Sequence, residues 1–302
     1  MKALLTGANG FLGKHLINKL NSEGCEVYSL GRTEAKNTNF FHLESLEDKK
    51  TIERCLLDIK PNYLFHLAGI VSNDEDESKK VNTNFAEKLL NAIDKCSLAN
   101  KTKVLMVGSA SEYGDINCED TPIKESFEPK PFNVYGKTKL EQTRIGLDWK
   151  SNEKFIVFAR PFNIIGPGMP KFLAIGNFIN QINSIENEGE IFTGNLNSQR
   201  DYIDVDDVCS IFWGLINCNE ANGEIINICS GKAKKVKEIL NFLIVHSNKN
   251  IRIRTDKRLM RKKDIPIHVG DNTKLRTFLK DFEFTPWSST LSKLIDNNLK
   301  KI

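Results

Sequence analysis

The sequence lacks long apolar segments. Its best candidates, such as residues 212–216, are short and flanked by polar side chains, whereas a membrane-spanning helix needs about 18 or more apolar residues. Residues 3–5 are also apolar, but glycines at positions 7, 10 and 13 interrupt the hydrophobic region that a signal peptide requires. We therefore expect neither a membrane span nor a signal peptide, and no membrane partner.

The cysteines are few and scattered. The chain has seven of them, with no C-x-x-C pair and no close Cys/His cluster in the sequence. A disulfide framework or a structural zinc site needs such spacing. We therefore expect reduced thiols, a cytoplasmic location and no bound metal.

A strong charge of one sign is absent as well. The 43 basic and 39 acidic residues give a formal net charge of +4, and 40% of the residues are hydrophobic. This balance is too mild to indicate a nucleic-acid partner, and the composition is that of an ordinary folded protein. Any anion that the protein binds should therefore be small.

What the sequence does contain is a regular succession of short apolar runs. Between them lie segments with helical periodicity, such as the one that carries Leu12, Leu16 and Leu20. Alternating strands and helices predict a doubly wound α/β fold with a parallel sheet and right-handed crossovers. The predicted strands cover residues 2–5, 26–30, 63–67, 103–107, 154–159 and 225–228.

This regular pattern loosens from about residue 163, where Gly166, Pro167 and Gly168 interrupt regular structure. We predict a dinucleotide-binding domain over residues 1–162 plus about 203–232. A smaller C-terminal α/β lobe, over about 163–202 and 233–302, should bind the substrate. No low-complexity linker separates the two parts, so we expect them to pack on each other.

A glycine-rich loop follows the first predicted strand. Gly7, Gly10 and Gly13 form the pattern G-x-x-G-x-x-G, which lets the backbone turn tightly and approach a pyrophosphate at the start of the next helix. The sequence therefore predicts a dinucleotide site. Its expected contacts are Gly7, Asn9, Gly10, Phe11, Leu12 and Gly13, together with Leu67, Ala68 and Gly69 after the third strand.

The end of the second strand bears on the choice of dinucleotide. A NAD-selective site normally carries an acid there for the ribose hydroxyls, but this chain has Gly31, Arg32 and Thr33. Arg32 could pair with a 2′-phosphate through charge-assisted hydrogen bonds. This favours NADP(H), with NAD(H) as the alternative if Arg32 is only a solvated surface residue.

Three further side chains predict the chemistry. Tyr135 and Lys139 are four positions apart, so a helix places them on one face, and Ser109 follows the strand at 103–107. Beside a nicotinamide, these groups form a proton-handling site for alcohol–ketone interconversion. We expect the ammonium and a cationic nicotinamide to lower the pKa of the Tyr135 phenol.

Five motifs, in this order along the chain, carry a family resemblance. They are G-x-x-G-x-x-G at 7–13, H-L-A-G at 66–69, G-S-A-S-E-Y-G at 108–114, Y-x-x-x-K at 135–139 and R-P-F-N-I-I-G-P-G at 160–168. Together they resemble the extended short-chain dehydrogenase/reductases that act on nucleotide sugars. Segments at 200–207, 227–231 and 258–261 more narrowly resemble the GDP-4-keto-6-deoxy-mannose reductases.

The resemblance implies a Rossmann-type fold and a NAD(P)H-dependent reductase of the C4 ketone of a nucleotide-diphosphate sugar. In that family, Tyr135 would donate a proton to the C4 oxygen, Ser109 would hydrogen-bond the same oxygen, and Lys139 would hold the nicotinamide ribose. Both Tyr135 and Lys139 would then contact the cofactor. The implied substrate contacts are Ser109, Ser111, Asn163, Arg200 and Arg261.

Two further implications concern the scaffold. Asp201 and Asp204 would buttress the fold or orient Arg200. The helices predicted over residues 85–96 and 134–150 resemble the pair that forms a four-helix dimer interface in the family, so a homodimer is implied.

One departure from the family pattern narrows the chemistry. In related 4,6-dehydratases an acid stands two positions after the catalytic Ser/Thr, where this chain has Ser111. Glu112 is one step further and in an extended segment would point to the opposite face, so dehydration is disfavoured. A C4 reductase is the main hypothesis. A nucleotide-sugar 4-epimerase, or a C4 dehydrogenase with tightly bound NAD(H), is the alternative, and a non-catalytic dinucleotide-binding protein is a third.

Overall fold

The computed structural model describes residues 1–151, 153–260 and 264–298. The strands are β1 (Lys2–Thr6), β2 (Glu26–Gly31), β3 (Asn39–His42), β4 (Tyr63–His66), β5 (Lys103–Val107), β6 (Ile156–Pro161), β7 (Asn163–Ile165), β8 (Glu188–Thr193), β9 (Gln199–Asp204), β10 (Ile225–Ile228), β11 (Ala233–Lys235), β12 (Asn250–Thr255) and β13 (Ile267–His268).

The helices are α1 (Phe11–Ser22), α2 (Lys49–Ile59), α3 (Glu75–Ser78), α4 (Phe85–Lys95), α5 (Val134–Trp149), α6 (Ala174–Asn183), α7 (Val205–Asn217), α8 (Val236–His246), α9 (Thr273–Phe278) and α10 (Trp287–Asn298). A π-helical turn (Lys79–Asn84) joins α3 to α4, and a 3₁₀ turn (Ala110–Glu112) follows β5. Within the described residues, no helix combines the length and the apolar character needed to cross a bilayer.

Seven parallel strands form the large sheet, in the order β10-β6-β5-β4-β1-β2-β3. The chain moves outward from β1 to β3 in one direction and then returns to place β4 on the other side of β1. The carboxyl ends of β1 and β4 therefore border a crevice, which is where ligands bind in open α/β sheets. This architecture confirms the predicted doubly wound, Rossmann-type fold.

Apolar residues cover both faces of the large sheet. One buried cluster includes Leu16 and Leu20 of α1 and Phe212 of α7. The cluster on the opposite face includes Ile52 of α2 and Phe85 of α4. Because a parallel sheet is buried on both faces, its strands are near-continuous apolar runs, and this made them visible in the sequence.

The sequence prediction missed one strand of the sheet. All six predicted strands are present, although β6 begins at Ile156 rather than at residue 154. The seventh strand, β3, lies at the sheet edge and pairs with β2. Its four residues, Asn-Phe-Phe-His, are only half-buried or exposed, so neither a long apolar run nor a strict alternation marked it.

The remaining elements build smaller layers beside the large sheet. β9 pairs with β7, β11 and β13, and β8 pairs in parallel with β12. α6, α8 and α10 contribute Ile179, Leu240 and Leu294 to a separate buried cluster. Not all of the C-terminal sequence belongs to this cluster, because Leu275 of α9 packs into the core of the large sheet.

Candidate active site

A cavity of about 580 Å³ lies between the carboxyl ends of the large-sheet strands and the smaller layers. Residues at the ends of β4, β5 and β6 and at the starts of α1 and α5 line one side, and α6, β8 and β9 line the other. The lining includes these residues predicted from the sequence: Phe11, Leu12, Leu67, Gly69, Ser109, Tyr135, Lys139, Asn163 and Arg200.

Other predicted site residues lie outside this lining. Arg261 is outside the described residues, and Ser111 donates its backbone N–H to the Ser109 hydroxyl from the 3₁₀ turn after β5. The remaining predicted contacts that do not line the cavity are Gly7, Asn9, Gly10, Gly13, Arg32 and Ala68.

Two glycines of the loop after β1 are required by close backbone packing. Gly7 has a φ of +73°, and a Cβ on it would lie 2.7 Å from the backbone nitrogen of Ala68. A Cβ on Gly13 would lie 2.4 Å from the carbonyl oxygen of Gly7. These glycines therefore let β1, the loop and α1 come together without a side chain between them.

The third glycine leaves the start of α1 open. Gly10 is the N-cap of α1 and offers no side-chain hydrogen bond to it, and the first turn holds no acidic residue. The first amide groups of a helix have no partner within the helix, and Phe11 and Leu12 of this turn line the cavity. This donor set fits the pyrophosphate of a dinucleotide.

Asn9 ties the glycine loop to the segment after β2. Its side-chain amide donates to the carbonyl oxygen of Thr33 at 2.8 Å, to the Thr33 hydroxyl at 3.0 Å and to the carbonyl oxygen of Glu34 at 3.1 Å. Arg32 stands immediately before these acceptors and is exposed. Asn9 therefore holds the segment that presents Arg32, a role the sequence prediction did not assign to it.

The 3₁₀ turn after β5 fixes Ser109. The Ser109 hydroxyl accepts from the backbone N–H of Ser111 at 3.1 Å, while the Glu112 carboxylate accepts from the backbone N–H of Ser109 at 2.8 Å. This reciprocal capping box sets the orientation of Ser109 at the edge of the cavity.

Tyr135 lies in the first turn of α5, beside Ser109. Burial raises the pKa of its phenol, and a hydrogen bond with the Ser109 side chain acts in the opposite direction. Burial outweighs this hydrogen bond, so the pKa of the phenol lies above its ordinary value. The predicted lowering depends on a cationic nicotinamide as well as on the Lys139 ammonium, and it stays a prediction for the protein with its dinucleotide bound.

Lys139 is almost completely buried and bonds to another residue of the same helix. Its Nζ donates to Oε1 of Gln142 at 2.8 Å. Burial lowers the pKa of Lys139 to about 8, and the charge of Glu112 acts in the opposite direction. The sequence prediction missed Gln142, although the helical spacing of residues 135, 139 and 142 places it on the same face of α5.

Glu112 does not reach the cavity, but the reason differs from the expected one. The segment is a 3₁₀ turn rather than an extended strand. Glu112 is fully buried and accepts from Nε of Arg160 at 2.8 Å and from the Thr143 hydroxyl at 3.1 Å. It is therefore the counter-ion of a buried arginine and not a base for the substrate.

Arg200 reaches the cavity from β9 with its guanidinium held in place. Nη2 donates to the Asp264 carboxylate at 2.7 Å, and Nη1 donates to the carbonyl oxygens of Gln199 and Ile265. The other carboxylate oxygen of Asp264 accepts from Asn195 at 2.7 Å. Asp264 was missed in the sequence because its partner lies 64 positions away.

The remaining predicted residues connect β7, β9 and their neighbours. Asn163 donates to the carbonyl oxygen of Asp201 at 3.0 Å. The Asp201 carboxylate accepts from Ser230 and Gly231, and burial raises its pKa to about 6. Asp204 caps α7. Of the two predicted roles for Asp201 and Asp204, the structure supports buttressing of the fold, while Asp264 orients Arg200.

Two relatives of this chain are named as enzymes of GDP-6-deoxy sugars. GDP-6-deoxy-D-talose 4-dehydrogenase of Aggregatibacter actinomycetemcomitans is 31% identical over 307 residues, which cover 100% of this chain and 99% of that protein. GDP-6-deoxy-D-mannose reductase of Pseudomonas aeruginosa is 28% identical, with 86% of this chain and 85% of that protein covered.

Solved structures share the fold over the whole chain. A putative epimerase from Burkholderia cenocepacia J2315 superposes with a TM-score of 0.86 at 26% identity, covering 98% of this chain and 97% of that one. RMD from Pseudomonas aeruginosa, complexed with NADPH, has a TM-score of 0.85 at 24% identity, with 100% and 99% covered.

A model of one protein family matches most of the chain. The match covers residues 3–229, and so includes the glycine loop, the Ser109 turn, the Tyr135–Lys139 pair and β9. The chain therefore belongs to the NAD dependent epimerase/dehydratase family.

Proposed function

We propose that the protein is a NADP(H)-dependent reductase of the C4 ketone of a nucleotide-diphosphate sugar resembling GDP-4-keto-6-deoxy-mannose. The observation that carries this proposal is the meeting of Ser109, Tyr135 and Lys139 on one wall of the cavity. Among the described lining residues the one carboxylate is Asp264, and it is paired with Arg200. The site is therefore built for proton transfer at an oxygen rather than for removal of a proton from carbon.

The residues divide the work at the reacting carbonyl. A bound nicotinamide dinucleotide supplies or accepts the hydride. Ser109 donates a hydrogen bond to the ketone oxygen, and the Tyr135 phenol, which is protonated at neutral pH, delivers its proton to the same oxygen. Lys139 holds the nicotinamide ribose with its ammonium.

The opposite end of the cavity holds the diphosphate in this proposal. Arg200 offers a guanidinium in a set orientation, and a planar fork of donors suits phosphate oxygens. Asn163 also lines the cavity. Arg261 is proposed as a second cation for the same diphosphate.

Two features support the proposed cofactor. No acid stands at the end of β2, where Arg32 is exposed and its segment is held by Asn9. This supports NADP(H) over NAD(H).

We also propose that residues 1–162 with about 203–232 bind the dinucleotide, and that about 163–202 and 233–302 bind the substrate.

The direct test is reduction of a 4-keto sugar nucleotide. The purified protein should oxidise NADPH, followed by its absorbance, when GDP-4-keto-6-deoxy-mannose is added, and the product should gain two hydrogens by mass spectrometry. No NADPH oxidation with a panel of GDP-, UDP- and ADP-linked 4-keto sugars would contradict the proposal.

The second candidate is a C4 dehydrogenase or a 4-epimerase. The relative that shares 31% identity over 100% of the chain is named a 4-dehydrogenase, and this chemistry uses the same three residues in the reverse direction. Denaturing the protein and identifying the released dinucleotide separates the candidates. Near-stoichiometric NAD(H) that survives dialysis indicates an epimerase or self-recycling dehydrogenase, and freely exchanging NADPH indicates the reductase.

The assembly and location complete the proposal. We place a homodimer interface on α4 and α5, whose exposed positions carry both signs of charge, including Glu87, Lys137, Glu141 and Arg144. Complementary charges across a two-fold axis can pair these faces. A cytoplasmic location is supported by the seven cysteines, all of which are free thiols.

A further inference from the structure

The buried lysine of the site is joined to the sheet through one glutamine. The side chains of Lys139 and Gln142 are 2% and 0% exposed. Nζ of Lys139 donates to Oε1 of Gln142 at 2.8 Å, and Nε2 of Gln142 donates to the carbonyl oxygen of Val107 at 3.1 Å. In the part of the chain that the structure describes, Gln142 is the one hydrogen-bond partner of this ammonium.

The chemistry of the two partners fixes the orientation of the Gln142 amide. A lysine ammonium has only donors, so the oxygen of Gln142 must face Lys139. A carbonyl oxygen only accepts, so the NH₂ group must face Val107. Neither leucine nor glutamate can make both bonds at this position, because the first has no polar group and the second has no donor.

Val107 is the last residue of β5 and stands two positions before Ser109. The amide of Gln142 therefore connects Lys139 on α5 to the strand that carries Ser109. We propose that Gln142 is a positioning residue that fixes the Lys139 ammonium to the end of β5 and leaves its two other N–H groups for the dinucleotide. This inference rests on the proposed function.

Three titratable groups near Lys139 do not replace Gln142 as the direct partner of its ammonium. Glu112, on the turn after β5, is engaged by Arg160 at 2.8 Å. His66, at the end of β4, is neutral because burial lowers its pKa to about 3. Tyr135, on the same helix, is an uncharged phenol at neutral pH because the ordinary pKa of tyrosine is about 10, and burial raises it further. Gln142 therefore supplies the direct contact that stabilises the charged form of Lys139.

The test measures the affinity for NADPH by fluorescence titration between pH 6.5 and pH 10. Loss of the ammonium weakens binding of an anionic dinucleotide, so wild-type affinity should fall as the pH passes the Lys139 pKa of about 8. Gln142→Leu should weaken binding about tenfold at neutral pH and move the midpoint down by roughly one pH unit. Gln142→Glu should move the midpoint up, because a carboxylate favours the ammonium.

Thr83→Val is the matched control. The Thr83 hydroxyl donates to the carbonyl oxygen of Thr138 at 3.1 Å, so this variant loses a buried hydrogen bond to the same helix without touching Lys139. It should keep the wild-type midpoint. Thermal unfolding of all variants reports whether they are folded.

The outcomes separate the two proposals. A Gln142→Leu variant with the wild-type midpoint, or a shift of both Gln142 variants in the same direction, overturns the inference. If Gln142→Leu does not fold, the midpoint of Gln142→Glu decides, and an unchanged value overturns the inference. If the wild type binds neither NADPH nor NADH, the proposed function fails, and the role of Gln142 fails with it.

Discussion

Tyr135 and Tyr113 form a natural pair of tyrosines for a test at the scale of single residues. Tyr135 lines the cavity beside Ser109, whereas the hydroxyl of Tyr113 donates to Asn227 at 2.6 Å inside the protein. Removing each hydroxyl therefore separates a role in proton transfer from a role in folding.

We expect Tyr135→Phe to lower the rate of NADPH oxidation by about 10²- to 10⁴-fold, the usual contribution of a positioned acid or base. NADPH binding, measured by fluorescence titration, should be retained because Lys139 and the glycine loop remain. Tyr113→Phe should retain the rate. Equal rates for the two variants would remove Tyr135 from the mechanism.

Arg32 decides the cofactor preference in our proposal. Arg32→Ala should weaken NADPH binding by about tenfold or more, because a charge-assisted contact to the 2′-phosphate is lost. NADH binding should not change. Lys36→Ala, which removes an exposed cation of the same loop, is the control.

Asn9→Ala should lower the ratio of NADPH affinity to NADH affinity, as Arg32→Ala does, but by a smaller factor. The reason is that Asn9 donates hydrogen bonds to Thr33 and Glu34, which follow Arg32 in the chain. If the variant instead loses NADPH and NADH affinity by the same factor, Asn9 binds a part of the cofactor that the two dinucleotides share.

Among the contacts between elements, one buried ion pair joins the turn after β5 to strand β6. Glu112 and Arg160 are 0% and 2% exposed and 2.8 Å apart. Glu112→Gln leaves the guanidinium without a counter-ion, and we expect a loss of about 3–5 kcal/mol in the free energy of unfolding. Urea unfolding measures it.

The control is the exposed pair between Glu190 of β8 and Arg254 of β12. Glu190→Gln should cost no more than about 1 kcal/mol because water screens this pair. Similar losses for the two variants would show that burial of the Glu112–Arg160 pair does not matter.

His15 of α1 clamps the loop that follows β7. Its Nδ1 is 2.9 Å from the Asp206 carboxylate of α7, and its Nε2 is 2.9 Å from the carbonyl oxygen of Pro167. Both partners accept, so both bonds form only when the imidazole is protonated. The hydrogen bond to Asp206 is the main cause that raises the pKa of His15 above 6.5.

This raised pKa gives the stability a defined pH dependence. The contribution of His15 should be fully present below pH 6.5, its ordinary pKa, and should disappear as the pH rises through the higher pKa of the folded protein. The difference in unfolding free energy between wild type and His15→Gln should therefore shrink between pH 6 and pH 9. A constant difference contradicts the clamp, and His42→Gln, at an exposed histidine of β3, is the control.

For the whole molecule, we expect the stability of the proposed dimer to depend on the salt concentration. Most exposed positions of α4 and α5 are charged, with Leu147 as an exposed apolar residue, so the pairing should weaken when salt screens the charges. Light scattering should find a dimer at low ionic strength and dissociation toward the monomer in about 1 M salt, where the Debye length is about 3 Å.

Charge reversal locates the interface. Arg144→Glu on α5 should favour the monomer, whereas Lys280→Glu should leave the dimer intact, because the segment after α9 packs on the opposite face of the large sheet. A wild-type monomer at every salt concentration would contradict the homodimer.

The features that could be predicted from the sequence are those with a local pattern. Strands buried on both faces and the spacing of Tyr135 and Lys139 are local patterns, so the sequence was enough to predict them. β3 was missed because an edge strand of four half-exposed residues has no such pattern. The partner of Arg200 was missed because it lies 64 positions away. The partner of Lys139 lies within α5, and helical spacing could have identified it as a neighbour but not as the residue that binds the ammonium.

The fold and the tight glycine loop after β1 could be predicted from sequence alone, because each depends on residues close together in the chain. The motifs also predicted the three side chains that we propose to react. Three contacts became visible only in the folded protein: Asn9 holds the Arg32 segment, Glu112 neutralises Arg160, and Gln142 rather than Tyr135 accepts from the Lys139 ammonium. The first two of these contacts join elements that are distant in the chain, and the third depends on the burial of Lys139 and Gln142 within α5. Burial also decided the direction of the Tyr135 pKa.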